Sequence, residues 1–131
     1  WNYPINSVAK TGARIAGGSD WTVSSLNPLD AIEVAVTRRE PGQKDGDALY
    51  PEEAVALETI LRAYTFEGAF SLFMEHDIGS IQSGKFADII ILDRNLFQIP
   101  AHEIHSTKVV QTIFNGNIVY QKWENDFLYK N

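Results

Sequence analysis

The sequence predicts an α/β segment followed by a β segment, and three observations set this class. Apolar residues recur at helical spacing in Leu29–Val36 and again in Ala54–Tyr64. After His76 the pattern shortens to strand-like runs, of which Ile89–Leu92 is the longest apolar stretch. Asn115-Gly116 separates two such runs, and Asn-Gly is the favoured two-residue hairpin turn. The 131 residues suffice for one domain and are too few for two ordinary ones.

Taken in order, Ile5–Lys10 reads as the last turns of a helix stopped by Gly12. Ala13–Ala16 reads as a short strand. It runs into Gly17-Gly18-Ser19-Asp20-Trp21, where glycine permits a sharp turn. Asn27-Pro28-Leu29-Asp30 starts a helix, with a capping amide, a proline at the first position and an acid in the first turn. Leu29, Ile32, Ala35 and Val36 form its apolar stripe, which ends near Arg38-Arg39. Pro41–Asp47 is polar and glycine-containing, so an exposed, mobile loop is expected. Pro51-Glu52-Glu53 opens a second helix with Ala54, Leu57, Leu61 and Tyr64 on one face. Gly68 interrupts, and Ala69–Met74 reads as a further short helix. Ala87–Leu92 is apolar on both faces, which predicts a fully buried strand. Pro100–Ile104 reads as one helical turn, and Val109–Phe114 with Asn117–Tyr120 as a hairpin. The pattern after Lys122 assigns no element.

The composition, 44% hydrophobic and 21% charged, is that of a globular protein. A net charge of −6 gives no electrostatic reason to bind nucleic acid or an anionic membrane, so neither is expected as a partner. No window approaches the length of a membrane span. Without cysteine there are no disulfides or thiolate metal sites. Trp1-Asn2-Tyr3-Pro4 is neither an initiator methionine nor a signal peptide, and the chain reads as a piece of a longer one. The compartment is not fixed by these features, and the cytoplasm is the favoured expectation.

Gly79-x-x-x-x-Gly84-Lys85 is one residue short of a phosphate-binding loop, and Asp93 ends an apolar run as a magnesium-holding acid would. The order of elements excludes that reading. A phosphate loop needs a strand before it and a helix after it, because the helix N-terminus supplies the amides. Here a helix precedes and a strand follows, and Phe86 offers no hydroxyl to a metal. Gln82–Lys85 is instead expected to be a turn in which Gly84 takes a positive φ and Lys85 is solvated.

Among the remaining candidates, His102 and His105 are three apart and could share a helical face as a weak metal site, or lie on a short exposed turn. His76, between Glu75 and Asp77, reads as a solvated junction. Glu52-Glu53 reads as a charged first turn, and no serine sits in a G-x-S-x-G elbow. Asp20 follows a short strand and two glycines. In an α/β barrel that edge faces the active site, where an acid binds a metal or moves a proton. From spacing alone, a capping or turn aspartate is an equal alternative.

Three stretches together resemble the amidohydrolase superfamily, and within it the group that includes N-substituted formamide deformylase. They are GGSDWTVSSLNPLDAIEVAVTRR (Gly17–Arg39), YPEEAVALETILRAYTFEGAFSLF (Tyr50–Phe73) and IGSIQSGKFADIIILDRNLFQIPAHEI (Ile78–Ile104) with the following hairpin. The resemblance implies the last βα unit of a TIM-like barrel with following helices, joined to the C-terminal strands of a small β-sandwich. Residues 1–74 would be the end of the barrel and residues 75–131 the sandwich portion. Arg14–Ala16 would be the eighth barrel strand. Asp20 would be both metal-touching and catalytic, taking a proton from the attacking water and returning it to the leaving nitrogen. Thr22, Tyr50 and Glu67 depart from the group, where proline, a threonine-type cap and asparagine are usual.

The resemblance also implies partners outside this chain. The family's H-x-H pair and further histidines are not in the sequence, and a whole barrel takes about 250 residues. The expectation is therefore a C-terminal portion of a hydrolase that cleaves non-peptide C–N bonds of small amide-type substrates. A divalent metal, zinc foremost, would serve the whole enzyme, whereas this portion alone would hold none stably and be inactive. Exposed strand edges would favour homo-oligomers or leave the first segment loosely attached. The alternative function is a non-catalytic β-rich assembly or binding module.

Overall fold

The computed structural model describes residues 3–122. Four short α-helices precede a three-stranded antiparallel sheet of order β1-β2-β3. The elements are α1 (Ile5–Lys10), α2 (Pro28–Thr37), α3 (Leu57–Ala63), α4 (Phe66–Ser71), β1 (Ile89–Leu92), β2 (Val109–Phe114) and β3 (Asn117–Gln121). Three 3-10 turns, Pro51–Glu53, Leu96–Gln98 and Ala101–Ser106, complete the path. No helix among the described residues is long and apolar enough to cross a membrane.

Helix α2 is the centre of the molecule, and its start forms as its sequence dictates. The Asn27 side chain accepts from the Leu29 N–H at 3.1 Å, and Pro28 occupies the first turn, where its missing donor costs nothing. Leu29, Ile32 and Ala35 then face inward as the stripe requires. They meet Val55, Ile60 and Ala63 on one side and Leu96 and Ile104 on the other. The core therefore draws on residues both before and after residue 74. At the C-terminus of α2, Arg38 adopts φ 56, a left-handed cap without glycine.

The second helix differs from its expected form. Pro51–Glu53 makes one 3-10 turn, the chain extends at Ala54, and α3 begins at Leu57. Ile60 and Ala63 are its buried centre, with Leu57, Leu61 and Tyr64 packed partly beside them. Gly68 does not interrupt α4 but lies inside it, because Ala69 supplies the buried contact next to it. Ala13–Ala16 forms no strand: none of the three described strands pairs with it.

In the sheet, Ile89 pairs with Ile113 and Leu92 with Val109, with a bulge between Ile91 and Leu92. The hairpin forms as expected. Asn115 (φ 47) and Gly116 (φ 77) are both left-handed, as the tight turn demands. The Asn115 N–H donates to the Asp88 carboxylate at 2.7 Å and the Gly116 N–H to the Ala87 carbonyl at 3.1 Å. The expectation of full burial fails for β1. Ile89 and Leu92 are half-buried, but Ile90 and Ile91 are 53% and 45% exposed, since no described layer covers that part of the sheet. Phe114, Ile118, Val119 and Tyr120 are exposed as well.

Candidate functional site

The segment carrying Asp20 is attached to the helices at three points. Ile15 packs on the apolar core. The Gly17 N–H donates to the Ala63 carbonyl at the end of α3, at 2.9 Å. Gly17 also lies flat on the Tyr64 ring, so close that a Cβ there would sit 2.6 Å from ring carbons. Arg14 reaches α4, where its guanidinium meets the Glu67 carboxylate at 2.9 Å and stacks 3.8 Å from the Phe70 ring centroid.

Asp20 follows at φ 49, a left-handed conformation that aspartate and asparagine tolerate better than most residues. Its carbonyl accepts from the Val23 N–H at 2.8 Å, closing a turn, and Ser24 Oγ donates to the Ser19 carbonyl. The Asp20 side chain is exposed, and among the described residues its carboxylate takes no hydrogen bond. The carboxylate is therefore accessible to water and to ligands. Trp21, Val23 and Leu26 are exposed around it.

The other predicted residues are not brought to Asp20. His76 is exposed, 3.8 Å from the Glu75 carboxylate. His102 and His105 lie in the 3-10 turn Ala101–Ser106 and engage different carboxylates: His105 Nδ1 lies 2.8 Å from Glu33 and His102 Nε2 4.0 Å from Glu103. No group of three or more metal-ligating side chains exists among the described residues. Asp20 offers one hard oxygen donor group, which suits a divalent ion, but a stable site needs several such donors. By themselves the described residues do not fit a resident metal.

Lys85 is corrected. It is not solvated: its ammonium donates to the Glu75 carbonyl at 2.5 Å, Ser80 Oγ at 2.7 Å and the Ile78 carbonyl at 3.3 Å. Three acceptors of the loop after α4 converge there, so the cation organises the loop. Gly84 takes φ 92, as expected for a turn. Glu53 is structural too. It is buried and accepts from the Ser7 hydroxyl and, at 2.8 Å, the Ser7 N–H. Those two bonds hold its carboxyl below the usual glutamate range.

Sequence reasoning missed Glu33, whose side chain is fully buried. One carboxylate oxygen accepts from the Gly42 N–H at 2.5 Å; the other accepts from the His105 N–H at 2.7 Å and lies 2.8 Å from His105 Nδ1. Glu33 thus joins α2, the 41–47 loop and the last 3-10 turn. The signal was present: position 33 falls within the helical apolar stripe set by residues 29, 32 and 36.

The chain belongs to the amidohydrolase family, which it matches over residues 1–120. It is 34% identical to Protein LONG AFTER FAR-RED 3 of Arabidopsis thaliana, over 91% of this chain and 20% of that protein. It is 29% identical to the N-substituted formamide deformylase of Arthrobacter pascens, over 92% of this chain and 22% of that one. Its fold is similar to the crystal structure of an amidohydrolase from Thermotoga maritima MSB8, with a TM-score of 0.68 and 23% identity. That match covers 90% of this chain and 26% of the other. The chain spans about a fifth of the length of these curated relatives.

Proposed function

We propose that the chain is the C-terminal portion of a metal-dependent hydrolase that cleaves non-peptide C–N bonds in small amide- or formamide-type substrates. The observation that carries this reading is the family match over residues 1–120 combined with the free, water-accessible carboxylate of Asp20 at the turn after Gly17-Gly18. In this reading residues 1–74 close the barrel and residues 75–131 belong to its small β-sandwich; within these ranges, residues 1–2 and 123–131 lie outside the described residues. Ala13–Ala16 would gain its ladder from neighbouring barrel strands. The name of the Arthrobacter relative, a formamide deformylase, supports the substrate class.

Asp20 is assigned as general base and then general acid, and as one ligand of a divalent ion, zinc foremost. The ion, when bound, would make water acidic near neutrality and polarise the substrate carbonyl. Asp20 accepts the proton that the attacking water gives up and returns it to the nitrogen as the C–N bond breaks. Its exposure lets water reach it, and no described residue hydrogen-bonds to its carboxylate, which leaves both oxygens for these tasks. The left-handed turn holds the carboxylate beyond the end of the packed segment. The chain alone is expected to show no turnover, since a single carboxylate does not complete a metal site.

The test is expression of the complete reading frame with divalent metal, assayed on N-substituted formamides and simple amides, beside an Asp20→Asn variant. Amide hydrolysis lost with Asp20→Asn supports the assignment. Full turnover by the variant removes Asp20 from the chemistry.

A further inference from the structure

Among the described residues, the segment that carries Asp20 is tied to the helices by side-chain contacts as well as by the Gly17 N–H. One of these contacts spans from residue 14 to α4. Glu67 is 11% exposed and bridges two arginines: Arg14 at 2.9 Å through one oxygen and Arg62 at 2.6 Å through the other. Each guanidinium also lies over a phenylalanine of the same helix, Arg14 over Phe70 at 3.8 Å and Arg62 over Phe66 at 4.4 Å. A flat guanidinium satisfies both demands at once, donating in its plane and stacking across its face.

We propose that Glu67, acting through Arg14, is a positioning residue for Asp20, an inference that rests on the catalytic reading of Asp20. The carboxylate brings together two cations that otherwise repel. Remove its charge and Arg14 loses its counter-ion, leaving the Phe70 ring as its contact on α4. Arg14 is three residues before the Gly17 anchor and six before Asp20. Loosening it leaves Ile15, the Gly17–Ala63 hydrogen bond and the contact of Gly17 with the Tyr64 ring to hold that segment. Burial pushes the Glu67 carboxyl up, but the hydrogen bonds from Arg62 and Arg14 outweigh it and leave it lowered, so the group is ionised at neutral pH.

The experiment compares wild type, Glu67→Gln and Arg14→Gln in the polypeptide expressed from its complete reading frame, with two readouts. The first is amide hydrogen exchange across residues 13–20, expected to speed up about tenfold in both variants while β2 stays protected. The second is steady-state hydrolysis, expected to show kcat lowered about tenfold with KM unchanged, because the misplaced base is felt in the transition state. Unchanged exchange in residues 13–20 overturns the proposal. Faster exchange with unchanged kcat also overturns it, and Asp20→Asn then locates the fault. If that variant is inactive, the clamp does not position the base; if it is active, Asp20 is not the base. Should Glu67→Gln fail to fold, Arg14→Gln decides, since it keeps the Glu67–Arg62 pair.

Discussion

Replacing Glu33 by glutamine exchanges one buried carboxyl oxygen for an NH2 group without changing the shape of the side chain. In the native protein the Gly42 and His105 N–H groups donate to its two oxygens, and His105 Nδ1 lies 2.8 Å from one of them. Glutamine keeps one acceptor oxygen and replaces the other with an NH2 group, which opposes at least one of those donors. A buried donor left without an acceptor costs about 1–3 kcal/mol, and bonds to charged groups sit at the upper end of net hydrogen-bond values. His105 is 33% exposed, so water can satisfy its ring, while the backbone N–H groups have less access. The expected loss is about 2.5 kcal/mol. With an unfolding entropy of about 0.3 kcal/mol/K for a chain of this size, that is a fall in Tm of about 8 °C. Urea denaturation followed by circular dichroism measures it, and hydrogen exchange should show the 41–47 loop loosening with it. A loss below about 0.5 kcal/mol would refute the view that this carboxylate joins three elements, because surface substitutions cost that much.

Gly79 lies at φ 85 with Ala69 Cβ 2.6 Å and Phe66 Cα 3.1 Å from where a Cβ would stand, so Gly79→Ala should cost about 2–3 kcal/mol in urea unfolding. Gly116→Ala, at φ 77 in open space, should cost only about 1 kcal/mol by the same measurement, since backbone strain acts there without a clash. Asp20→Asn should leave stability within about 0.5 kcal/mol, because the side chain is exposed and asparagine tolerates the left-handed turn. Acid should destabilise the fold. Glu53 is depressed from its ordinary value of 4.5 by the Ser7 hydroxyl and N–H, and Asp93 from 3.8 by the Lys108 N–H. A depressed carboxyl stabilises the folded state above its unfolded pKa, and that contribution is lost as pH falls through the folded value. Stability should therefore decline below pH 4.5. Ser7→Ala should flatten that decline in a pH series of urea midpoints.

Local signals were legible where neighbours in sequence decide the outcome. Asn27-Pro28 set the start of α2, and Asn115-Gly116 set the hairpin, because capping and turn geometry involve residues within three or four positions. Long-range partners decided the rest. Ala13–Ala16 has the residues of a strand, but a strand exists only when another pairs with it. Ile90 and Ile91 read as buried, yet burial depends on a second layer that no local pattern supplies. Lys85 reads as a solvated turn residue, yet its partners are two backbone carbonyls and a serine hydroxyl. At the site, spacing alone leaves Asp20 open between a turn aspartate and an active-site acid, and only the family resemblance favours the second. The Arg14–Glu67 tether joins residues 53 positions apart in sequence, which no local pattern shows.

The central claim concerns a proton carried by one side chain. Its most direct test is the hydrolysis rate of an N-substituted formamide by the complete polypeptide with divalent metal, wild type against Asp20→Asn, with folding checked by circular dichroism. Loss of a general base predicts a fall in kcat of about 100-fold or more in a variant that remains folded. Equal rates for the two proteins would contradict the account.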